Sequence, residues 1–171
     1  YPSNHFVLEY AARPPLAKIF YEDVLMAAFF YGYPLLIENN KYGIVRYFEE
    51  RGYDGYLLER PAALQSNSTR VAVKTKGIPS NSQDVIHTHA QCIESYIHDY
   101  VGFNVDKGDH GTMYFNRTLE DWINFRIEKR TKYDLSISSG LALLAAQKNQ
   151  VEKNPAKFNE SKFFRRYKPI G

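Results

Sequence analysis

The chain predicts an α/β fold, and three observations predict it. Stretches with strand character alternate with amphipathic helical stretches between residues 5 and 59, and Pro or Gly stands at most of the boundaries. The composition of the 171 residues, 44% hydrophobic and 24% charged, is that of one globular domain. Strand, helix, strand, helix, strand in that order is the pattern of a right-handed parallel α/β unit.

Taken in order, residues 5–12 (HFVLEYAA) are apolar and aromatic and end at Arg13-Pro14-Pro15, which predicts a strand stopped by proline. From Leu16 the apolar positions 16, 17, 19, 20, 24, 27 and 28 recur at helical spacing. Pro15 suits the first turn of that helix and Gly32 its C-terminal end. Residues 34–38 (PLLIE) predict an apolar strand closing on an acid. Asn39 or Asn40 then caps a second amphipathic helix over 41–51, stopped by Gly52, and residues 56–59 predict the next strand.

Residues 62–79 are polar with scattered basic groups and read as a loop carrying a short hairpin. Ser80 to Gln83 is a capping-box start for a helix reaching about Tyr100. Residues 101–111 read as loop and 112–115 as a short strand or turn. Thr118 caps a helix to about Glu128, and Asp134 opens an Ala/Leu-rich helix over 135–148 whose small residues allow close packing.

The function classes are narrowed by what is missing. One cysteine, Cys92, excludes a disulfide framework and a Cys-rich zinc site. The longest apolar run, residues 24–37, is broken by Gly32 and Pro34 and is too short to span a bilayer. No P-loop, dinucleotide-binding glycine turn, HExxH, CxxC or nucleophile elbow occurs. His87 and His89, two apart on a predicted helix, point away from each other and read as surface residues. The sequons at Asn67, Asn116 and Asn159 read as chance. Without an initiator Met or a signal-peptide pattern, residue 1 is expected to lie inside a longer protein.

Charge is distributed unevenly. Of the net +3, residues 151–171 carry +4 and the preceding 150 residues −1, so a nearly neutral body bears a basic tail. Such a tail suits nucleic acid or an acidic protein surface. Two acids stand out by position: Glu38 ends an apolar strand, and Asp134 opens an apolar helix. Each has a plain structural role available, a solvated strand end or a helix N-cap. Brought together they would be hard oxygen ligands suited to Mg²⁺ or Mn²⁺.

Residues 33–43 (YPLLIENNKYG) resemble the strand-then-E-N-N-x-x-G segment of the nuclease domain of phage terminase large subunits. The resemblance continues in order through 48–53 (FEERGY), 57–61 (LLERP), 76–80 (KGIPS) and 125–144 (FRIEKRTKYDLSISSGLALL). It implies a ribonuclease-H-like mixed sheet flanked by helices over residues 1–150, followed by the basic tail 151–171. It places the first catalytic acid on a strand before residue 5, absent from this chain, and an ATPase domain before that. Glu38 matches the family's second acid and Asp134 its third, so the resemblance implies that both are catalytic and hold a two-metal Mg²⁺ or Mn²⁺ site.

Asn39 and Asn40 would orient Glu38, and Lys74, Lys76, Arg130 and Lys132 would meet DNA phosphates. The implied activity is endonucleolytic cleavage of concatemeric double-stranded viral DNA in the host cytoplasm at the procapsid portal. The implied partners are that DNA, the portal protein and the small terminase subunit, with no membrane. Two other readings stay open: a non-catalytic DNA-binding or portal-docking module, and another ribonuclease-H-fold nuclease of resolvase or integrase type.

Overall fold

The computed structural model describes residues 4–40, 42–61, 76–79, 83–101 and 113–151. The regular structure there is helical: α1 (Ala17–Tyr31), α2 (Gly43–Glu50), α3 (Gln83–Tyr100), α4 (Asn116–Asn124) and α5 (Asp134–Val151). Short 3₁₀ turns follow α2 at Asp54–Tyr56 and α4 at Ile127–Lys132.

This overturns the α/β expectation and the ribonuclease-H-like mixed sheet with it, because no strand or sheet forms among the described residues. What remains of the predicted strands is three isolated bridges, Leu35–Leu57 and Glu38–Ile78 parallel and Glu59–Lys76 antiparallel. The backbone shows why they stay short. Leu35 N–H donates to the Tyr56 carbonyl (2.7 Å), and Leu58 N–H donates to the Leu35 carbonyl (2.8 Å). Past that point residues 37–39 exchange bonds with Ile78 instead. The 3₁₀ turn enters one partner, Pro34 removes a donor, and Gly77 at φ +78° bends the other. Neither neighbour runs alongside residues 35–38 long enough to make a ladder.

Residues 5–12 are not a strand either. Among the described residues no backbone hydrogen bond ties them to another segment, and side chains hold them instead. Phe6 packs edge-on against Tyr96 (5.2 Å between ring centroids) and Trp122 (6.0 Å). Glu9 Oε2 accepts from Thr118 N–H (3.1 Å) and Thr118 Oγ1 (2.7 Å). That carboxylate satisfies the first turn of α4, which starts two residues before Thr118 and ends at Asn124, short of the expected Glu128.

Helix α1 ends as expected. Gly32 adopts φ +67° and its N–H returns to the Ala28 carbonyl at 2.9 Å. Its inner face, centred on Leu25 and Ala28, meets Ile44, Val45 and Phe48 of α2 and Leu57 in one cluster. The Glu22 carboxylate of α1 accepts from Arg51 Nη2 through both oxygens (2.9 and 3.1 Å) and from the Tyr47 hydroxyl. At the start of α2, Gly43 leaves room for the Tyr21 hydroxyl where a Cβ would sit. The capping expected of Asn39 or Asn40 does not occur: Tyr42 holds the N-cap position, and no side chain caps the helix.

The second half packs around α5. Ser136, Ser139 and Gly140 are buried, and a Cβ on Gly140 would stand 3.0 Å from the Cβ of His89 on α3. Asp121 of α4 accepts from Ser136 N–H (2.6 Å) and Oγ (2.8 Å), so α4 closes the N-terminus of α5. Trp122 Nε1 donates to Ser139 Oγ at 2.8 Å. Further along, Leu141, Leu144 and Ala145 pack with Val85 and Cys92 of α3 and with Leu36 and Ile78. Of the expected loop and hairpin over 62–79 only residues 76–79 are described, and most of the loop 101–111 and the basic tail beyond Val151 lie outside the described residues.

Gly77 offers a test of the bridge geometry. A Cβ there would lie 2.6 Å from the Ile37 carbonyl oxygen, the acceptor of the Ile78 N–H, in a left-handed backbone. Gly77→Ala is expected to cost at least about 1–2 kcal/mol. Urea unfolding should show it as a lower midpoint with an unchanged slope.

Candidate functional site

Glu38 stands at the corner where the bridged segments end. Its carboxylate is exposed and accepts from Asn40 Nδ2 at 2.5 Å. Asn39 turns the other way. Its Nδ2 donates to the Lys76 carbonyl (2.6 Å), its own N–H donates to the Ile78 carbonyl (2.8 Å), and its buried Oδ1 has no hydrogen-bond partner among the described residues. One asparagine thus pins the corner to residues 76–78 while the other holds the acid. Gly77 is part of the same arrangement, since only a residue without Cβ brings this backbone against Ile37.

Asp134 is the first residue of α5, and its Oδ2 meets Arg13 Nη2 at 3.2 Å. Both side chains are largely exposed, 73% and 91%, so the pair contributes little stability. Glu38 and Asp134 belong to one packed body through Leu36, Ile78 and Leu141. Leu141 lies seven residues, or about 10 Å of helix rise, beyond Asp134. The hydrogen bonds given above nevertheless take the two carboxylates to different partners. Among the described residues no three His, Cys, Asp or Glu side chains form a group able to hold a metal ion.

The basic residues divide as well. Lys76 is not a free cation at the surface: its Nζ donates to the Leu57 carbonyl at 3.0 Å across the Glu59–Lys76 bridge. Arg130 and Lys132 belong to the 3₁₀ turn that leads into α5, with Lys132 exposed and Arg130 half-buried. Lys74 lies outside the described residues. Among those residues, no helix is long and apolar enough to cross a membrane.

His87 is exposed, as expected, but His89 is not a surface residue. It is 1% exposed, faces Gly140 of α5, and neither ring nitrogen has a partner among the described residues. A sequence signal existed. Val85, His89, Cys92, Ile93 and Tyr96 recur at three- and four-residue spacing, and all five are buried. The contact Glu9 makes has no such signal, because its partner Thr118 lies 109 residues away.

Compared with known protein families, with curated proteins and with solved structures, the chain matches none.

Burial, with the positive charge of Arg130 adding to it, lowers the His89 pKa from 6.5 to about 4. Above pH 6.5 the ring is neutral in both folded and unfolded chains. Between 6.5 and 4 the unfolded chain takes up a proton that the folded one refuses, so stability falls as the pH falls. The slope from this one group is about 1.4 kcal/mol per pH unit. His89→Leu should flatten that slope when urea midpoints are compared between pH 7 and pH 5. An equally steep slope in the variant would assign the acid sensitivity to other groups.

Proposed function

We propose that this chain is the DNA-cleaving portion of a phage packaging terminase, a metal-dependent endonuclease acting on concatemeric duplex DNA. The observation that carries the reading is the Glu38 corner, together with the ordered run of motifs in which it sits. An exposed carboxylate held at 2.5 Å by Asn40, beside an asparagine committed to the backbone, is how an oriented acid would be presented to a ligand.

The donors fit Mg²⁺ or Mn²⁺ in kind. Glu38 offers hard carboxylate oxygen, and the adjacent Asn39 holds a buried amide oxygen with no partner among the described residues. They do not complete a ligand set, so Asp134, water or phosphate oxygen would supply the rest. When bound, such ions lower the pKa of water and stabilise the leaving oxygen in phosphodiester hydrolysis. The chain's own contribution is positional. Asn40 orients the Glu38 carboxylate, Asn39 and Gly77 fix the backbone beneath it, and Arg130 and Lys132 attract the phosphate backbone. On this reading the portal protein and small terminase subunit are partners, and the site of action is the procapsid portal in the host cytoplasm.

A non-catalytic DNA-binding or portal-docking module is the second reading. It is favoured by the Arg13–Asp134 ion pair, which engages the other matching acid, and by the missing three-acid group among the described residues.

Supercoiled plasmid with Mn²⁺ separates the two. The resemblance puts one catalytic acid before residue 5, so cleavage is expected of a chain extended on that side, with Glu38→Gln reducing it about 100-fold or more while duplex binding stays within about twofold. Lys132→Ala should weaken binding and lower the salt slope by about 1. Cleavage unaffected by Glu38→Gln, or binding without any cleavage, would overturn the endonuclease reading.

A further inference from the structure

Helix α1 is apolar on two sides. At 100° per residue its core face is centred on Val24, Leu25 and Ala28, and Ile19, Met26 and Phe30 fall on the opposite side, with Phe29 beside them. These outer residues are well exposed: Ile19 42%, Met26 47%, Phe29 53% and Phe30 79%, continued by Leu16 at 64% and Tyr33 at 50%. Two acids, Glu22 and Asp23, would interrupt this stripe, but each is drawn to one side. Glu22 is held by Arg51 and Tyr47 of α2, and Asp23 accepts from the Tyr10 hydroxyl at 2.6 Å.

We infer that this outer face of α1 is a self-association surface, and that its occupant is the same face of a second copy of the chain in a two-fold dimer. Two arguments select a second copy. The first is charge. A two-fold interface sets each charge of the stripe near its own copy, and like charges there oppose association. Here both acids already have intramolecular partners at the flanks, and what is left along the middle is Ile, Met and Phe. The second is area. At roughly 200 Å² for a large apolar side chain, the exposed fractions amount to about 600–700 Å² per chain. Two copies would bury about 1,300 Å², within the range of specific stable interfaces and above what an incidental contact buries. Aromatic residues and Met are also the side chains enriched at the centres of such interfaces. None of this rests on the endonuclease reading.

Sedimentation equilibrium of the full 171-residue chain tests it. At micromolar concentration the mass should be twice the 19.9 kDa of one chain. Met26→Arg places an unpaired charge at the centre of the stripe and should weaken association by about 100-fold or more. Phe30→Ser should weaken it too. Both side chains face solvent in the single chain, so helical circular dichroism should not change. Ile123→Glu, on an equally exposed apolar residue of α4 (76%), should leave the dimer intact. A chain that stays monomeric, a dimer indifferent to Met26→Arg, or a series of larger species would each overturn the inference. So would a dimer lost equally through Ile123→Glu.

Discussion

Close approach of α5 to α3 is the constraint on which the rest of the structure depends. A Cβ at Gly140 would stand 3.0 Å from that of His89, tighter than ordinary van der Waals contact. At Gly140 the helices meet at backbone range, Ser136 and Ser139 are buried on the same helix, and Leu141, Leu144 and Ala145 reach Leu36 and Ile78. The corner that carries Glu38 is therefore supported from beneath by α5. Trp122 locks the same face through its indole N–H on Ser139, and Asp121 closes the N-terminus of α5 at Ser136. Close packing of this kind gives dispersion contacts at the cost of tolerating no added volume.

Helices were legible where a local rule sets them. Gly32 in left-handed conformation ends α1, Asp134 begins α5, and the amphipathic pattern of Ile44, Val45 and Phe48 defines α2. The sheet was misread because strand character is only half of the requirement. Residues 5–12 and 34–38 have the apolar and aromatic residues that strands favour, but a sheet also needs a partner backbone that stays alongside. That partnership depends on residues such as Gly77 and on the turn at Asp54–Tyr56, far along the chain from the strands they limit. The alternation predicted parallel neighbours for 34–38 and 56–59, and the chain keeps one parallel bridge between them without extending it.

The candidate site was legible to a similar depth. Glu38 and its two asparagines form a local unit, and the side chains of all three residues meet within it or at the adjacent bridge. What lies beyond local range was not legible: Lys76 held by the Leu57 carbonyl, Asp134 paired with Arg13, and Glu9 satisfying the first turn of α4. Each joins residues between 19 and 121 positions apart, where spacing carries no information. His89 is a different case. Its stripe was visible, and a two-residue separation from His87 drew attention to the pair rather than to the face each shares with its helical neighbours.

The two acids differ in what holds them, and that difference bears on which can meet a ligand. Asp134 faces a guanidinium across an exposed ion pair, an interaction that salt screens and that a competing phosphate can replace at little cost. Glu38 accepts from the neutral Asn40 amide within the same turn, a contact that orients the carboxylate. A cation approaching Asp134 would compete with Arg13 for the same carboxylate. The contact of Asp134 is thus open to ionic competition, whereas that of Glu38 is set by the local geometry of residues 38–40.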